Sequence, residues 1–220
     1  MKIIAINGSP RKTKNTATLL KQVLDGANSL GAEIQLIHLY DLNYKGCTSC
    51  FACKLKNSKS YGKCAYRDEL TPVLQTIETA DALILGSPIY FGAITGAMHS
   101  FLERLMFQYL AYVKEKRSLF GRTMYTAFIY TMNVTAEQMR KSNYTTGLRI
   151  TEQTLKEIFG QLETLTVNDT YQFNDYSKYA ATAFDPVKKE QTREKQFPHD
   201  CAKAYALGRK CVESNSIRQS

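Results

Sequence analysis

The sequence predicts an open, doubly wound α/β fold in which five parallel strands are covered by helices on both faces. Two observations carry that reading. Five strand-like apolar runs alternate with segments whose apolar residues recur at helical spacing, the order that builds a parallel sheet with right-handed crossovers. The run Ala82, Leu83, Ile84, Leu85 is also continuous rather than alternating, as in a strand buried on both faces.

The elements follow in order. Ile3, Ile4, Ala5 and Ile6 make the first strand, which breaks into the polar turn Asn7-Gly8-Ser9-Pro10. Leu20, Val23, Leu24, Ala27 and Leu30 then repeat at helical spacing until Gly31, a stop signal. Ile34, Leu36, Ile37 and Leu39 form the second strand, ending in Asp41. A cysteine-bearing connection over 44–66 comes next, and structureless connections of that length are usually functional. A short helix over about 68–79 carries Leu70, Val73, Leu74 and Ile77 on one side. The third strand, 82–86, is expected to break at Ser87-Pro88 and to lead into a helix over 93–112, with Ile94, Ala97, Met98, Phe101, Leu102, Leu105 and Met106 as its apolar face. Residues 123–132, rich in β-branched and aromatic side chains, read as a fourth strand. Ile150, Leu155 and Phe159 mark a helix, 162–171 a fifth strand, and 187–212 a final amphipathic helix.

At 220 residues and 44% hydrophobic content, one domain over 1–214 with a frayed tail at 215–220 is the simplest organisation. The first apolar run is too short for a signal-peptide core and no later run approaches a membrane span, so a soluble, cytoplasmic protein is expected, with no membrane partner. The formal net charge is +9, from 29 Lys and Arg against 20 Asp and Glu. It suits an anionic cofactor, a polyanion or solubility alone. Lys54, Lys56, Lys59, Lys63 and Arg67 form a local basic run that reads as a solvated loop. No aromatic RNP-like strand or helix-turn-helix pattern accompanies it, so no nucleic-acid partner is expected.

The segment from Asn7 to Thr16 is an anion-binding turn at a helix N-terminus. It offers backbone N–H groups, the Ser9, Thr13 and Thr16 hydroxyls, the Arg11 guanidinium and the Asn15 amide, and the helix adds the positive end of its macrodipole. A mononucleotide phosphate fits such a turn without a metal. A P-loop is excluded because Thr13 and Lys14-Asn15 stand where Gly and Lys-Ser/Thr would be needed, and no GxGxxG occurs. In a doubly wound sheet, ligands bind outside the carboxyl ends of the strands near the switch point. There the turn meets the loops 87–92 and 131–135. No GxSxG, HExxH or paired-carboxylate signature appears, and His38, His99 and His199 are isolated from one another and read as surface or satisfied core residues.

Three motifs in order, GSPRKTKNT after the first strand, GCTSCFAC after the second and GSPIYFGAITGAMHSFLERL after the third, resemble the flavodoxin-like NAD(P)H-dependent FMN reductases, a broad group that includes quinone reductases and iron-sulfur flavoproteins. The resemblance covers most of the chain. It implies a flavodoxin-like fold and an FMN-dependent oxidoreductase with NAD(P)H as substrate, passing electrons to free flavin, quinone or a similar small-molecule electron acceptor by a ping-pong mechanism. Ser9, Arg11, Asn15 and Thr16 would hold the FMN phosphate. Pro88, Ile89, Tyr90, Phe91 and Gly92 would line the isoalloxazine, with the Tyr90 and Phe91 rings shielding it. Thr131 and Asn133 belong to the third loop, assigned by topology. Gly92 and Gly96 are expected to permit close helix-to-sheet contact. No catalytic acid or base is assigned, because flavin chemistry asks the protein for orientation and electrostatics. A homodimer or homotetramer is expected, both from the resemblance and from the apolar faces of 107–112. An electron-transfer flavoprotein serving a redox protein is the alternative. Such carriers tend to be acidic, which favours the enzyme for this basic chain.

The six cysteines, Cys47, Cys50, Cys53, Cys64, Cys201 and Cys211, read as reduced thiols or metal ligands. Cys47, Cys50 and Cys53 have cluster-ligand spacing and Cys64 could supply a fourth thiolate. The gap between Cys53 and Cys64 is wider than the resemblance leads one to expect. A 4Fe-4S cluster, a zinc site and a redox thiol pair therefore stand as lesser alternatives to structural thiols, and no metal ligand is assigned.

Overall fold

A computed structural model describes residues 1–219, with side chains as far as residue 214, so the expected frayed tail at 215–220 lies outside the fully described residues. Its strands are β1 (Lys2–Asn7), β2 (Glu33–His38), β3 (Ala82–Tyr90), β4 (Ala93–Ile94), β5 (Leu110–Val113), β6 (Lys116–Ser118), β7 (Tyr125–Thr131) and β8 (Glu163–Val167). The α-helices are α1 (Asn15–Asn28), α2 (Leu70–Thr79), α3 (Gly96–Tyr109), α4 (Ala136–Lys141), α5 (Tyr144–Phe159) and α6 (Pro186–Gln219). The sheet runs in the order β2-β1-β3-β7-β8 with every neighbouring pair parallel, the flavodoxin-like doubly wound five-stranded sheet that the sequence implied.

Alternation along the central strands divides the core into two layers. Ile4, Ile6, Leu83, Leu85 and Phe128 pack with Leu70 and Leu74 of α2, Phe101 and Leu105 of α3, and Leu155 of α5. Ile3, Ala5, Ile84, Ala127 and Ile129 face the other way, onto Leu20 and Val23 of α1 and Phe197 and Ala204 of α6. Fully burying each such aliphatic side chain stabilises the fold by roughly 1.5–3 kcal/mol. Helices α1 and α6 cross at contact distance. A Cβ on Gly26 would strike the Tyr205 carbonyl and one on Gly208 the Val23 carbonyl, so only glycine permits this approach.

Four departures from the expected elements bear on the site and its surroundings. Strand β3 does not break at Ser87-Pro88. It stays paired with β7 as far as Pro88 opposite Thr131 and continues to Tyr90, a placement that suits proline near a strand end. Residues 93–94 are not helical but return as β4, antiparallel to β3, so α3 begins only at Gly96, capped by Thr95. Helix α3 stops at Tyr109, because 110–118 forms the β5–β6 hairpin, and Tyr109 is buried against Phe120 and Phe159. The last strand ends at Val167 rather than near 171, and the chain then turns back over the sheet edge, with Thr170 N–H donating to Met132 O at 3.0 Å.

Candidate functional site

The carboxyl ends of β1, β3 and β7 lie level, with Asn7 opposite Gly86 and Pro88 opposite Thr131, and a cleft of about 110 Å3 opens above them. Ser9, Arg11, Asn15, Thr16, Pro88, Ile89, Tyr90, Thr131 and Asn133 all line it. The turn after β1 is held from below. Asn7 is wholly buried, accepts the Ser9 N–H at 3.0 Å and pairs its amide with His38 Nδ1 at 2.8 Å. Ser9 Oγ in turn accepts the Arg11 N–H at 3.1 Å. Helix α1 starts at the cleft with Lys14 as its cap and no side-chain cap bond, so the N–H groups of its first turn have no side-chain acceptor. A free helix N-terminus with hydroxyls and a guanidinium beside it is the chemistry of an anion site.

Close packing fixes this geometry. A Cβ on Gly86 would meet Leu20 Cδ1 at 2.8 Å and Thr16 Cγ2 at 3.0 Å, so the absent side chain lets α1 sit directly over β3. Thr16 Oγ1 pairs with Thr131 Oγ1 at 2.8 Å, linking the α1 turn to the third loop. Thr95 Oγ1 accepts the Met98 N–H and donates to Gly8 O at 2.7 Å, and its N–H donates to Ser87 Oγ at 3.1 Å. One threonine thus caps α3 and ties two cleft loops together.

Phe91 and Gly92 lie outside this cleft lining. They are the two central residues of the β3–β4 hairpin, with φ of +52° and +79°, the pattern of a type I′ turn. Phe91 is fully solvent-exposed at 105% and Tyr90 is partly so. Burial is the main influence on the Tyr90 phenol and pushes its pKa up, which keeps it a neutral donor. Gly96 has no neighbour within 4 Å of a would-be Cβ, so close helix-to-sheet contact is not its role, whereas one on Gly92 would meet the Tyr144 ring at 3.3 Å. Thr13 is exposed and stands off the cleft. The histidines are as expected, with His38 on Asn7 and His99 near Glu103 on the surface.

The sequence did not single out Lys14, Met132, Thr170 and Gln172, which complete the lining. The last two lie on the loop after β8, which folds over the turn after β1. Arg11 Nη2 donates to Gln172 O at 2.6 Å, Asn15 Nδ2 to Tyr171 O at 2.9 Å and Lys14 Nζ to Asn174 Oδ1 at 2.8 Å. Helix α6 closes the arrangement from behind. Its buried Lys189 donates to Asn133 O at 2.8 Å, to Asn133 Oδ1 at 2.5 Å and to Asp169, while Arg193 donates to Asn15 Oδ1 at 3.1 Å. The available signal was Asn168-Asp169, a turn pair inside the segment 162–171 that was expected to be strand throughout.

The cysteine connection is held in place by its own hydrogen bonds and by α3. Gly62 N–H donates to Cys53 O at 3.0 Å and closes the wide gap, bringing Cys64 back beside Cys53. Lys54, expected to be solvated, reaches the last carbonyls of α3, with Nζ on Phe107 O, Gln108 O and Leu110 O, and so docks the connection on that helix end. Cys47, Cys50, Cys53 and Cys64 line one small, mainly apolar pocket, with Arg104 and Gln108 of α3 in its wall. It shares no lining residue with the cleft. Burial raises the Cys53 thiol pKa, against a smaller opposing influence of Lys54. Among the described residues, no three His, Cys, Asp or Glu side chains converge as ligands of a single ion. No helix among them is long and apolar enough to cross a membrane.

A family model described as NADPH-dependent FMN reductase matches residues 1–176. An iron-sulfur flavoprotein of Archaeoglobus fulgidus is 41% identical over 104 residues, 47% of this chain and 48% of that protein. One from Methanocaldococcus jannaschii is 36% identical over 104 residues, 47% of this chain and 51% of its own length. The chain spans about half the length of these curated relatives. An NAD(P)H:quinone oxidoreductase from Methanothermobacter marburgensis superposes with a TM-score of 0.69 at 13% identity, over 95% of this chain and 98% of that one, a likeness of fold.

Proposed function

The chain belongs to the NADPH-dependent FMN reductase family, and from that premise we propose that it is a flavin-dependent oxidoreductase, carrying electrons from NAD(P)H to free flavin, quinone or a similar small acceptor. The observation that carries this reading is the convergence of the phosphate turn, the 87–90 strand end and the 131–133 loop on one cleft. The donor set suits FMN. The open N-terminus of α1, Ser9, Thr16, Arg11 and Asn15 meet the phosphate, while Pro88, Ile89 and Tyr90 provide an apolar wall for the ring system. Bound there, FMN would supply hydride acceptance from a nicotinamide and onward transfer to the acceptor. The residues orient it. Arg11 keeps further N–H donors beyond the one on Gln172 O, and Asn15 keeps its second amide hydrogen. Tyr90, and Phe91 at the rim, flank the open side, where nicotinamide and acceptor would take turns in a ping-pong exchange. A homodimer or homotetramer belongs to the same reading, since Phe91 in the monomer covers nothing.

The test compares FMN with riboflavin. Arg11→Ala combined with Asn15→Ala is expected to weaken FMN far more than riboflavin, because only FMN carries the phosphate. Equal losses for both ligands would move the phosphate site elsewhere.

A second reading is favoured by the pocket behind α3, namely that Cys47, Cys50, Cys53 and Cys64 hold a 4Fe-4S cluster. Such a cluster takes one thiolate at each of four separated irons, so its ligands surround a pocket instead of converging on a point. Four thiols around one apolar pocket match that donor set. The cluster would relay single electrons. Flavin binding is expected to survive Cys50→Ser, since the two sites share no residue.

A further inference from the structure

Two buried donors in the four-cysteine pocket have no acceptor. Arg104 is 2% exposed. Its Nη1 donates to Asp68 Oδ2 at 2.5 Å and Lys45 O at 3.2 Å and its Nη2 to Tyr66 O at 3.1 Å, but Nε is unpartnered. Gln108, one helical turn further along α3, is 4% exposed and also lines the pocket. Its Oε1 accepts the Cys64 N–H at 2.9 Å, which fixes the orientation of the amide and leaves Nε2 as a donor without a partner. A buried donor left unsatisfied costs about 1–3 kcal/mol, and two in one pocket call for an acceptor that enters it. The rest of the lining is four thiols, the side chains of Thr48 and Tyr66, and apolar groups, so sulfur predominates among the atoms that could accept. The fitting acceptor is negatively charged sulfur.

We propose that Arg104 Nε–H and Gln108 Nε2–H donate to the sulfur atoms of a 4Fe-4S centre ligated by the four cysteines, and that they set its reduction potential. The proposal rests on the second reading above. The ion pair with Asp68 and the carbonyls of Lys45 and Tyr66 hold the guanidinium in one orientation, while the Cys64 N–H holds the amide. One-electron reduction makes such a centre more negative. Fixed donors and a cation then favour the reduced form and raise the potential. Both are positioning residues and neither touches the flavin cleft.

The test uses the full chain purified without oxygen, with iron and acid-labile sulfide counted and the midpoint potential read by EPR during a dithionite titration. Arg104→Lys keeps the charge and removes the Nε–H donor. Gln108→Glu keeps an acceptor for Cys64 N–H and replaces the donor with oxygen. Both variants are expected to retain iron and to titrate at a more negative potential than the parent. A measurement on the parent chain alone covers variants that fail to fold. With heavy-nitrogen-labelled arginine, pulsed EPR of the reduced centre is expected to show a nitrogen coupling that changes with the label. Unchanged potentials in the iron-loaded variants, or no arginine coupling, overturn the proposal while leaving the cluster in place. A parent chain free of iron and sulfide overturns the cluster reading itself, and the proposal with it.

Discussion

Single residues decide how the cleft is held and how the core responds to pH. Gly86 was legible only as the end of an apolar run. Its role follows from Leu20 and Thr16 lying where a Cβ would go, a fact of packing that no local pattern encodes. Cys211 shows a titration effect. It is wholly buried in the α1–α6 layer, and burial, aided by Glu163 and Asp81, pushes its thiol up from 9.0 to about 12. Between those values the unfolded chain loses its proton while the folded chain keeps it, so the unfolded state binds fewer protons and stability falls as pH rises from 9 towards 12, by an amount on the order of a few kcal/mol. Urea midpoints across that range are expected to fall in the parent chain and to fall less in Cys211→Ala. The buried phenols of Tyr125 and Tyr130, also pushed up by burial, keep some slope at the upper end. An equal slope in both proteins would remove Cys211 from the account.

At the scale of elements, the sequence revealed the five strands and the helices between them because their apolar patterns are local. The turn after β1 was legible for the same reason, with Ser9, Arg11, Asn15 and Thr16 adjacent in the chain. What escaped depends on contacts between distant segments. The β3–β4 hairpin was hidden because Phe91 occupies a left-handed position that usually selects Gly, Asn or Asp. The wall supplied by 170–172 and the support from α6 were hidden because Lys189 and Asn133 are far apart in sequence. That support has a measurable consequence. Lys189→Met leaves Asp169, itself partly exposed, without its cation and frees Asn133. The loss of stability is expected to be about 2 kcal/mol, below the roughly 3–5 kcal/mol for breaking a fully buried pair. FMN affinity should fall with it. A variant with reduced stability and unchanged FMN affinity would show that α6 braces the fold but not the site.

For the whole molecule, the cleft above β1, β3 and β7 and the cysteine pocket lie on separate sets of residues, joined through α3, whose Thr95 cap ties the cleft loops and whose Glu103, Arg104 and Gln108 face the cysteine connection. Assembly is expected to bury Phe91 and, on the β5–β6 arm, Tyr112, which is 64% exposed and stacks edge-on with Phe107. Of the residues 107–112, 107–109 close α3 and 110–112 begin that arm, and Tyr109 is buried, so the apolar residues at issue are fewer than the sequence implied. Sedimentation at micromolar concentration is expected to give a dimer or tetramer that Phe91→Asp weakens. A flavin-loaded, active monomer would contradict it.

The central claim is that FMN occupies the cleft above β1, β3 and β7 and receives hydride from NAD(P)H. It is tested most directly by adding NAD(P)H anaerobically to the FMN-reconstituted chain and following the absorbance of oxidised flavin, beside the Arg11→Ala, Asn15→Ala double variant. The account expects one FMN per chain, bleached by NAD(P)H and restored by a quinone, with the double variant failing to retain FMN. Failure of the parent chain to bind FMN, or bound FMN that NAD(P)H leaves oxidised, would contradict it.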